Sequence, residues 1–212
     1  MREGMIPRPE LIQQLDQGMK LGHHLFLVSA PAGFGKTTLL SEWINRPLSV
    51  KPASTLPSPC IDQAGWVSLD AADNDSVRFW VYFLSALRKI YPEVGESALQ
   101  ALTLLQPPPL ELLQADLINE VARQNQHGIL VLDDFHLIEN QTILQSLQFW
   151  IENQPANFCL VISSRMDPPL PLARLRANRQ LTELRERDLR FSRQETAQFM
   201  RQVLSTDLSP GD

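Results

Sequence analysis

The feature that most limits what this chain can fold into is the run Ala30-Pro31-Ala32-Gly33-Phe34-Gly35-Lys36-Thr37. It has the spacing G-x-x-x-x-G-K-[ST], with alanine at the first glycine position. Gly33 and Gly35 tolerate backbone angles that side-chain-bearing residues avoid, so successive N–H groups can turn inward and form a concave nest for an anion. A helix opening at Lys36 adds its positive end to that nest. Lys36 supplies a full charge for β- and γ-phosphate oxygens, and the Thr37 hydroxyl can ligate Mg²⁺. Ala32, Phe34 and Thr38 complete the stretch expected around the nucleotide.

Such a loop works only between a strand and a helix, and its flanks comply. Leu25-Phe26-Leu27-Val28 is a short apolar run expected to be a buried strand, and 36–44 has a helical pattern. Strand-like runs then alternate with helical stripes. Trp66 to Leu69, Ile129 to Leu132 and Phe158 to Ile162 are expected strands, with a fifth near Leu181 to Leu184. Between them lie a stripe from Val77 through Trp80, Leu84, Leu87 and Tyr91, capped by Asn74 or Asp75, a helix within Gly95 to Leu105, and stripes beginning at Leu110 and at Ile143. Pro107-Pro108-Pro109 and Pro155 act as breaks, and Ser192 is expected to open a last helix carrying Ala197, Phe199 and Val203. The alternation predicts an α/β fold: a P-loop NTPase three-layer sandwich, its mostly parallel sheet of about five strands covered by helices on both faces.

A Mg²⁺-dependent phosphate site needs a carboxylate at the end of a neighbouring strand, and Ile129 to Leu132 runs into Asp133-Asp134. Asp133 is assigned to the metal and Asp134 to orienting or activating the attacking water. Adjacent strand residues point to opposite faces, so the two roles are exchangeable at this stage. Arg165 follows the fourth strand and emerges at the same edge, where a guanidinium can fork onto a γ-phosphate; pairing with Asp167 at the surface is the alternative.

Bulk properties narrow the class. The 212 residues suit one sizeable domain, and 43% hydrophobic with 20% charged residues is ordinary globular usage. A net charge of −5 gives no general attraction to nucleic acid or to an anionic membrane, so no nucleic-acid binding by this chain alone is expected. The one basic region, Arg165 to Arg193, sets eight arginines against four acids, which favours a solvated surface over an interaction face. Cys60 lies in a Pro/Ser-rich loop and Cys159 in an apolar run; neither has metal-ligand spacing, and a reduced, cytoplasmic setting fits. No apolar run approaches a membrane span and no signal peptide is apparent. Trp66, Trp80 and Trp150 sit in apolar patterns that suit the core.

With these residues in hand, the chain resembles the STAND-class P-loop ATPases, in particular the nucleotide-binding domain of the large MalT-like regulators of the LuxR group. Ile6-Pro7-Arg8-Pro9-Glu10-Leu11, the loop Ser29 to Leu40, Trp66 to Asp70 with Asp73-Asn74-Asp75 and Arg78-Phe79-Trp80, Leu132 to His136, Ser164 to Arg176, Leu184-Arg185 and Asp188 to Phe191 carry it. Residues 46–62, with four prolines and three serines, look like an insertion. The resemblance implies that Arg8 flanks the adenine, that Lys36 and Thr37 hold the phosphates and Mg²⁺, and that Arg165 meets the γ-phosphate. It implies residues 1–24 as an adenine-flanking helical segment, 25–191 as the ATPase core and 192–212 as the start of a following helical region. It also implies a slow ATPase used as a switch, closed with ADP and self-associating with ATP. Family members continue into a winged helix, a helical-repeat sensor and a DNA-binding helix-turn-helix, which are not within these 212 residues; a fragment or an excised domain is the expectation. A P-loop phosphotransferase acting on a small molecule and a non-hydrolysing nucleotide-binding module are the competing readings.

Overall fold

A computed structural model describes residues 6–46, 63–106, 108–193 and 195–200. Five strands form one sheet: β1 (Leu25–Ser29), β2 (Gln63–Ser68), β3 (Gly128–Asp133), β4 (Phe158–Ser164) and β5 (Leu181–Arg185). Their order is β2-β3-β4-β1-β5 and every pairing is parallel. The helices are α1 (Pro9–Lys20), α2 (Lys36–Ile44), α3 (Ser76–Ile90), α4 (Glu96–Leu102), α5 (Leu110–Ala122), α6 (Gln141–Asn153), α7 (Leu172–Ala177) and α8 (Glu186–Leu189), with short 3₁₀ turns at Ala71–Asn74 and Phe135–Leu137. This is the expected P-loop three-layer sandwich. Positions 1–5 of the expected N-terminal segment, all of the expected 46–62 insertion except Arg46, and so Cys60, together with Pro107 and positions 201–212, and so Val203, lie outside the described residues.

The pleat sorts the central strands into two cores. Leu25 and Leu27 of β1, Leu130 and Leu132 of β3, and Phe158, Leu160 and Ile162 of β4 face α3, α5, α6 and α7. Phe26 and Val28, Ile129 and Val131, and Cys159 and Val161 face α1 and α2 on the other side. Every residue of β1, β3 and β4 is buried, which is why these strands appear as unbroken apolar runs in the sequence. Each large side chain so buried contributes roughly 1.5–3 kcal/mol. β2 is an edge strand and alternates, so Trp66 is only half-buried and donates from Nε1 to Ser68 Oγ at 3.1 Å. Trp80 and Trp150 are fully buried in an aromatic cluster with Phe83 and Phe158, and Trp80 Nε1 donates to Ser146 Oγ at 3.1 Å.

Two candidate caps separate by role. Asp75 is the N-cap of α3 and accepts from the Arg78 amide at 2.8 Å. Asn74 instead reaches across the sheet edge: its Nδ2 donates to Leu137 O at 2.7 Å, and its Oδ1 accepts from the amides of Glu139 at 2.7 Å and Asn140 at 3.0 Å. Ser192 opens the last helical stretch through a reciprocal cap, its amide donating to Glu195 Oε2 at 2.7 Å and its Oγ accepting from the Glu195 amide at 3.2 Å. Cys159 is buried and in no disulfide, its thiol donates to the Leu160 carbonyl at 3.9 Å, and burial pushes its pKa well above the ordinary value.

α1 belongs to the same core as the sheet. Leu11, Ile12 and Leu15 pack on the face that β1 and α2 share, and Asp16 ties the two helices by accepting from Trp43 Nε1 at 2.9 Å and from both terminal nitrogens of Arg46 at 2.9 and 2.7 Å. On the other face α3 crosses β2 so closely that a Cβ built on Gly65 would stand 2.5 Å from the Ala86 carbonyl oxygen. Backbone cannot rotate away as a side chain can, so Gly65→Ala should lower stability by about 1–3 kcal/mol. Urea unfolding followed by tryptophan fluorescence checks this, and an unchanged midpoint would contradict the close crossing.

Candidate functional site

The loop between β1 and α2 has the backbone its glycines suggested. Gly33 and Gly35 have φ of +85° and +74°, left-handed values that side chains disfavour, and no atom lies within 4 Å of where either Cβ would be. Glycine is therefore required here for conformation, with open space on that side. Gly35 is also the N-cap of α2 and offers no side chain to its first turn, so the leading N–H groups are left for an external acceptor. The loop is pinned where it leaves β1 by the Ala30 amide, which donates to Ser164 O at 3.2 Å.

Lys36 is only 7% exposed, and its Nζ donates to the carbonyl oxygens of Ala30 at 2.8 Å and Pro31 at 3.1 Å. Its pKa lies below the ordinary lysine value, first because burial disfavours the charge, with Asp134 and Asp133 opposing and Arg165 adding to the shift. Those same charges place Lys36, Asp133, Asp134 and Arg165 within one electrostatic cluster.

Thr37 Oγ1 donates to Asp133 Oδ2 at 2.8 Å, which joins the start of α2 to the end of β3. The sequence argument put the acid on a neighbouring strand; in the sheet β4 lies between β1 and β3, so this contact spans an intervening strand. Asp133 is 3% exposed, and its Oδ1 accepts from the Asp134 amide at 3.1 Å. Asp134 has a left-handed backbone, φ 57° and ψ 35°, and its side chain is 43% exposed. The two acids thus differ: Asp133 is buried beside Thr37, and Asp134 stands out from the sheet edge.

Arg165 follows β4 at the turn that Ser164 stabilises by donating to Met166 O. It is exposed and does not pair with Asp167, which is instead bound by Arg185 and lies 3.9 Å from Arg176. Arg176 and Arg190 are likewise engaged by Glu183 and Glu186, so much of the basic region is neutralised in place.

His136, which sequence reasoning gave no role, joins the cluster. Its ring is 12% exposed and its Nδ1 lies 3.7 Å from Asp134 Oδ1. Burial lowers its pKa, Arg165 and Lys36 lower it further, and Asp134 and Asp133 oppose. A histidine two positions after an acid pair carries no distance-free signal, since only the turn at Phe135–Leu137 brings it back.

Beside the phosphate loop lies a cavity of about 540 Å³, within the size range of ligand pockets. Arg8, Phe34, Thr38, Glu42, Phe191 and Phe199 are among the residues lining it. Arg8, expected beside the adenine, holds one wall in place: its terminal nitrogens donate to the carbonyls of Leu189 at 2.9 Å, Asp188 at 3.1 Å and Arg190 at 3.3 Å. Its Nε lies 2.6 Å from Glu195 Oε1, and its guanidinium sits 5.2 Å over the Phe191 ring. Glu42 was not foreseen, although it stands four residues after Thr38 on one helix face.

Hard oxygen donors, orphan amides and a buried ammonium around open space fit a magnesium nucleotide. Among the described residues no cluster of three or more His, Cys, Asp or Glu could hold a metal. Mg²⁺ uses one or two side-chain oxygens and completes its shell with phosphate oxygens and water, and Thr37 Oγ1 and Asp133 Oδ2 stand together at 2.8 Å.

The chain is 35% identical over 200 residues to the HTH-type transcriptional regulator MalT of Vibrio parahaemolyticus; the match covers 94% of this chain and 20% of MalT. It thus spans about a fifth of that relative's length. Cdc6p of Pyrobaculum aerophilum shares the fold, with a TM-score of 0.55, 16% identity and coverage of 95% of this chain and 52% of that one. So does the Aeropyrum pernix ORC1 protein solved in complex with DNA, at a TM-score of 0.54, 14% identity and coverage of 96% and 50%. No protein-family model matches the chain.

If Thr37 and Asp133 hold the metal, Thr37→Ala should weaken the gain in ATP affinity on adding Mg²⁺ by roughly tenfold or more. Titration calorimetry with and without Mg²⁺ measures this; an unaltered gain would place the ion elsewhere.

Proposed function

We propose that this chain, which belongs to the MalT-like P-loop ATPase domains, binds ATP with Mg²⁺, hydrolyses it slowly and serves as the switch of a signal-responsive transcriptional regulator. The observation that carries this reading is the 2.8 Å contact between Thr37 and Asp133, with Lys36 and Arg165 in the same charged cluster.

In this reading the backbone amides from Ala32 to Lys36 cradle the β-phosphate, and Lys36 exchanges its two carbonyl partners for β- and γ-oxygens. Thr37 and Asp133 hold Mg²⁺, which supplies charge neutralisation across the phosphates. Asp134, on the exposed side of the edge, orients or activates the attacking water. Arg165 forks onto the γ-phosphate and so distinguishes ATP from ADP. Arg8 and the residues around its cavity take the base, with Thr38 at the phosphate end.

The exposure of Asp134 and Arg165 supports slow turnover. Charges facing water are screened, and electrostatic stabilisation of a transition state is strongest where water is excluded. Self-association in the ATP form would cover this edge. Any DNA contact is assigned to a domain outside this chain, in keeping with its net charge of −5. Among the described residues no helix is long and apolar enough to cross a membrane, and we assign the protein to the cytoplasm. The ion pairs that occupy Arg176, Arg185 and Arg190 argue against a phosphotransferase lid built from them.

The test compares the wild type with Lys36→Ala and Arg165→Ala. Lys36→Ala should lose roughly tenfold or more in ATP affinity, the worth of hydrogen bonds to a charged group. Arg165→Ala should still bind ADP normally while kcat falls roughly a hundredfold. Fast turnover that requires an added acceptor would instead support a kinase, and binding without ADP release a passive module.

A further inference from the structure

We propose that His136 is a positioning residue for Asp134: its Nδ1–H closes onto the Asp134 carboxylate and turns it toward the water that attacks the terminal phosphate. This role rests on the ATPase reading above and adds a residue to it.

Three observations carry the inference. First, His136 Nδ1 is buried and has no hydrogen-bond partner. A buried polar nitrogen left unpaired keeps the full cost of its desolvation, so native structures seldom keep one without a use for it. The carboxylate at hand is Asp134, whose Oδ1 lies at 3.7 Å, too far for a hydrogen bond and close enough for a side-chain rotation to make one.

Second, the two groups differ in freedom. The imidazole rides on the turn Phe135–Leu137, anchored by Phe135 at 1% exposure and by the Ile138 amide, which donates to Phe135 O at 3.0 Å. From across the edge, Asn74 holds the end of that turn at Leu137 O and the amides of Glu139 and Asn140. Asp134, 43% exposed and hydrogen-bonded through its backbone alone, is free to swing. A fixed donor beside a movable acceptor sets the acceptor's direction, and not the reverse.

Third, the backbone of Asp134 is left-handed, a conformation that a non-glycine residue adopts at some cost and that recurs where geometry serves a site. With this backbone the carboxylate of Asp134 lies 3.7 Å from the imidazole of His136. A neutral imidazole has one N–H and one acceptor nitrogen, so it directs Asp134 without adding charge beside Lys36 and Arg165.

The test uses the full chain with His136→Phe, His136→Asn and His136→Gln. The asparagine amide nitrogen lies near the position of Nδ1, whereas the glutamine amide reaches toward that of Nε2. His136→Phe and His136→Gln should lower kcat roughly tenfold to hundredfold, and His136→Asn should restore most of it, with ATP dissociation constants within about twofold throughout. Equal loss in the asparagine and glutamine variants, or a kcat in His136→Phe like that of the wild type, would overturn the role. Should His136→Phe fail to fold, the contrast between the two amides still decides.

A second readout does not depend on turnover. In ¹⁵N-labelled protein the His136 resonances should show a protonated Nδ1 whose shift moves on Asp134→Ala. An Nε2–H tautomer, or an Nδ1 indifferent to Asp134, would rule the pairing out. A wild type that hydrolyses nothing would defeat the ATPase reading, and with it this role; an active wild type with unaffected His136 variants would defeat the role alone.

Discussion

The site depends on the all-parallel sheet. With every strand running the same way, the ends of β1, β3 and β4 must fall on one edge, and the register aligns Ser29 with Ser164 and Ser68 with Asp133. The residues that follow, Ala30 to Thr37, Asp134 and Arg165, therefore emerge together. The Thr37–Asp133 contact closes this arrangement across β4 and makes the start of α2 and the end of β3 parts of one surface. A parallel sheet must also be covered on both faces, which is why the chain devotes so many helices to it and leaves only the strand ends for chemistry.

What could be foreseen from the chain alone was local. The Gly33–Gly35 loop announces its left-handed angles by composition, and β3 announces its buried course by four apolar residues and its exit by two acids. Strand order was not legible, because nothing in β4 says that it lies between β1 and β3. Nor were partnerships formed over long chain separations. Arg8 binds carbonyls some 180 residues away, and Asn74, an apparent helix cap, turns out to bridge to the loop after β3. Asn and Asp side chains cap and bridge with the same atoms, so Asn74 and Asp75 look alike until their neighbours are placed. His136 shares this difficulty: its meaning lies in a 3₁₀ turn that three residues of sequence do not specify.

The edge also has a charge balance that bears on how a nucleotide can be read. Lys36 and Arg165 stand among Asp133 and Asp134, so two cations face two carboxylates before any phosphate arrives. A triphosphate brought in without a metal would meet both carboxylates at close range and be repelled. In the proposed reading a divalent ion seated where Thr37 meets Asp133 would convert one of those carboxylates from a repulsive group into a ligand. Asp134 remains unneutralised and exposed, which suits a group that must take hold of water more than one that must hold a metal. Among the described residues Arg165 forms no ion pair, since Asp167 is engaged by Arg185, and in the proposed reading it is the cation that would respond to a third phosphate. The presence or absence of that phosphate would then be felt at the end of β4, and a base beside Arg8 would be felt by the segment after β5 that Arg8 holds. In the proposed reading two distant parts of one nucleotide would touch two separate exits from the same sheet, which is the physical requirement for a domain whose bound ligand acts as a switch.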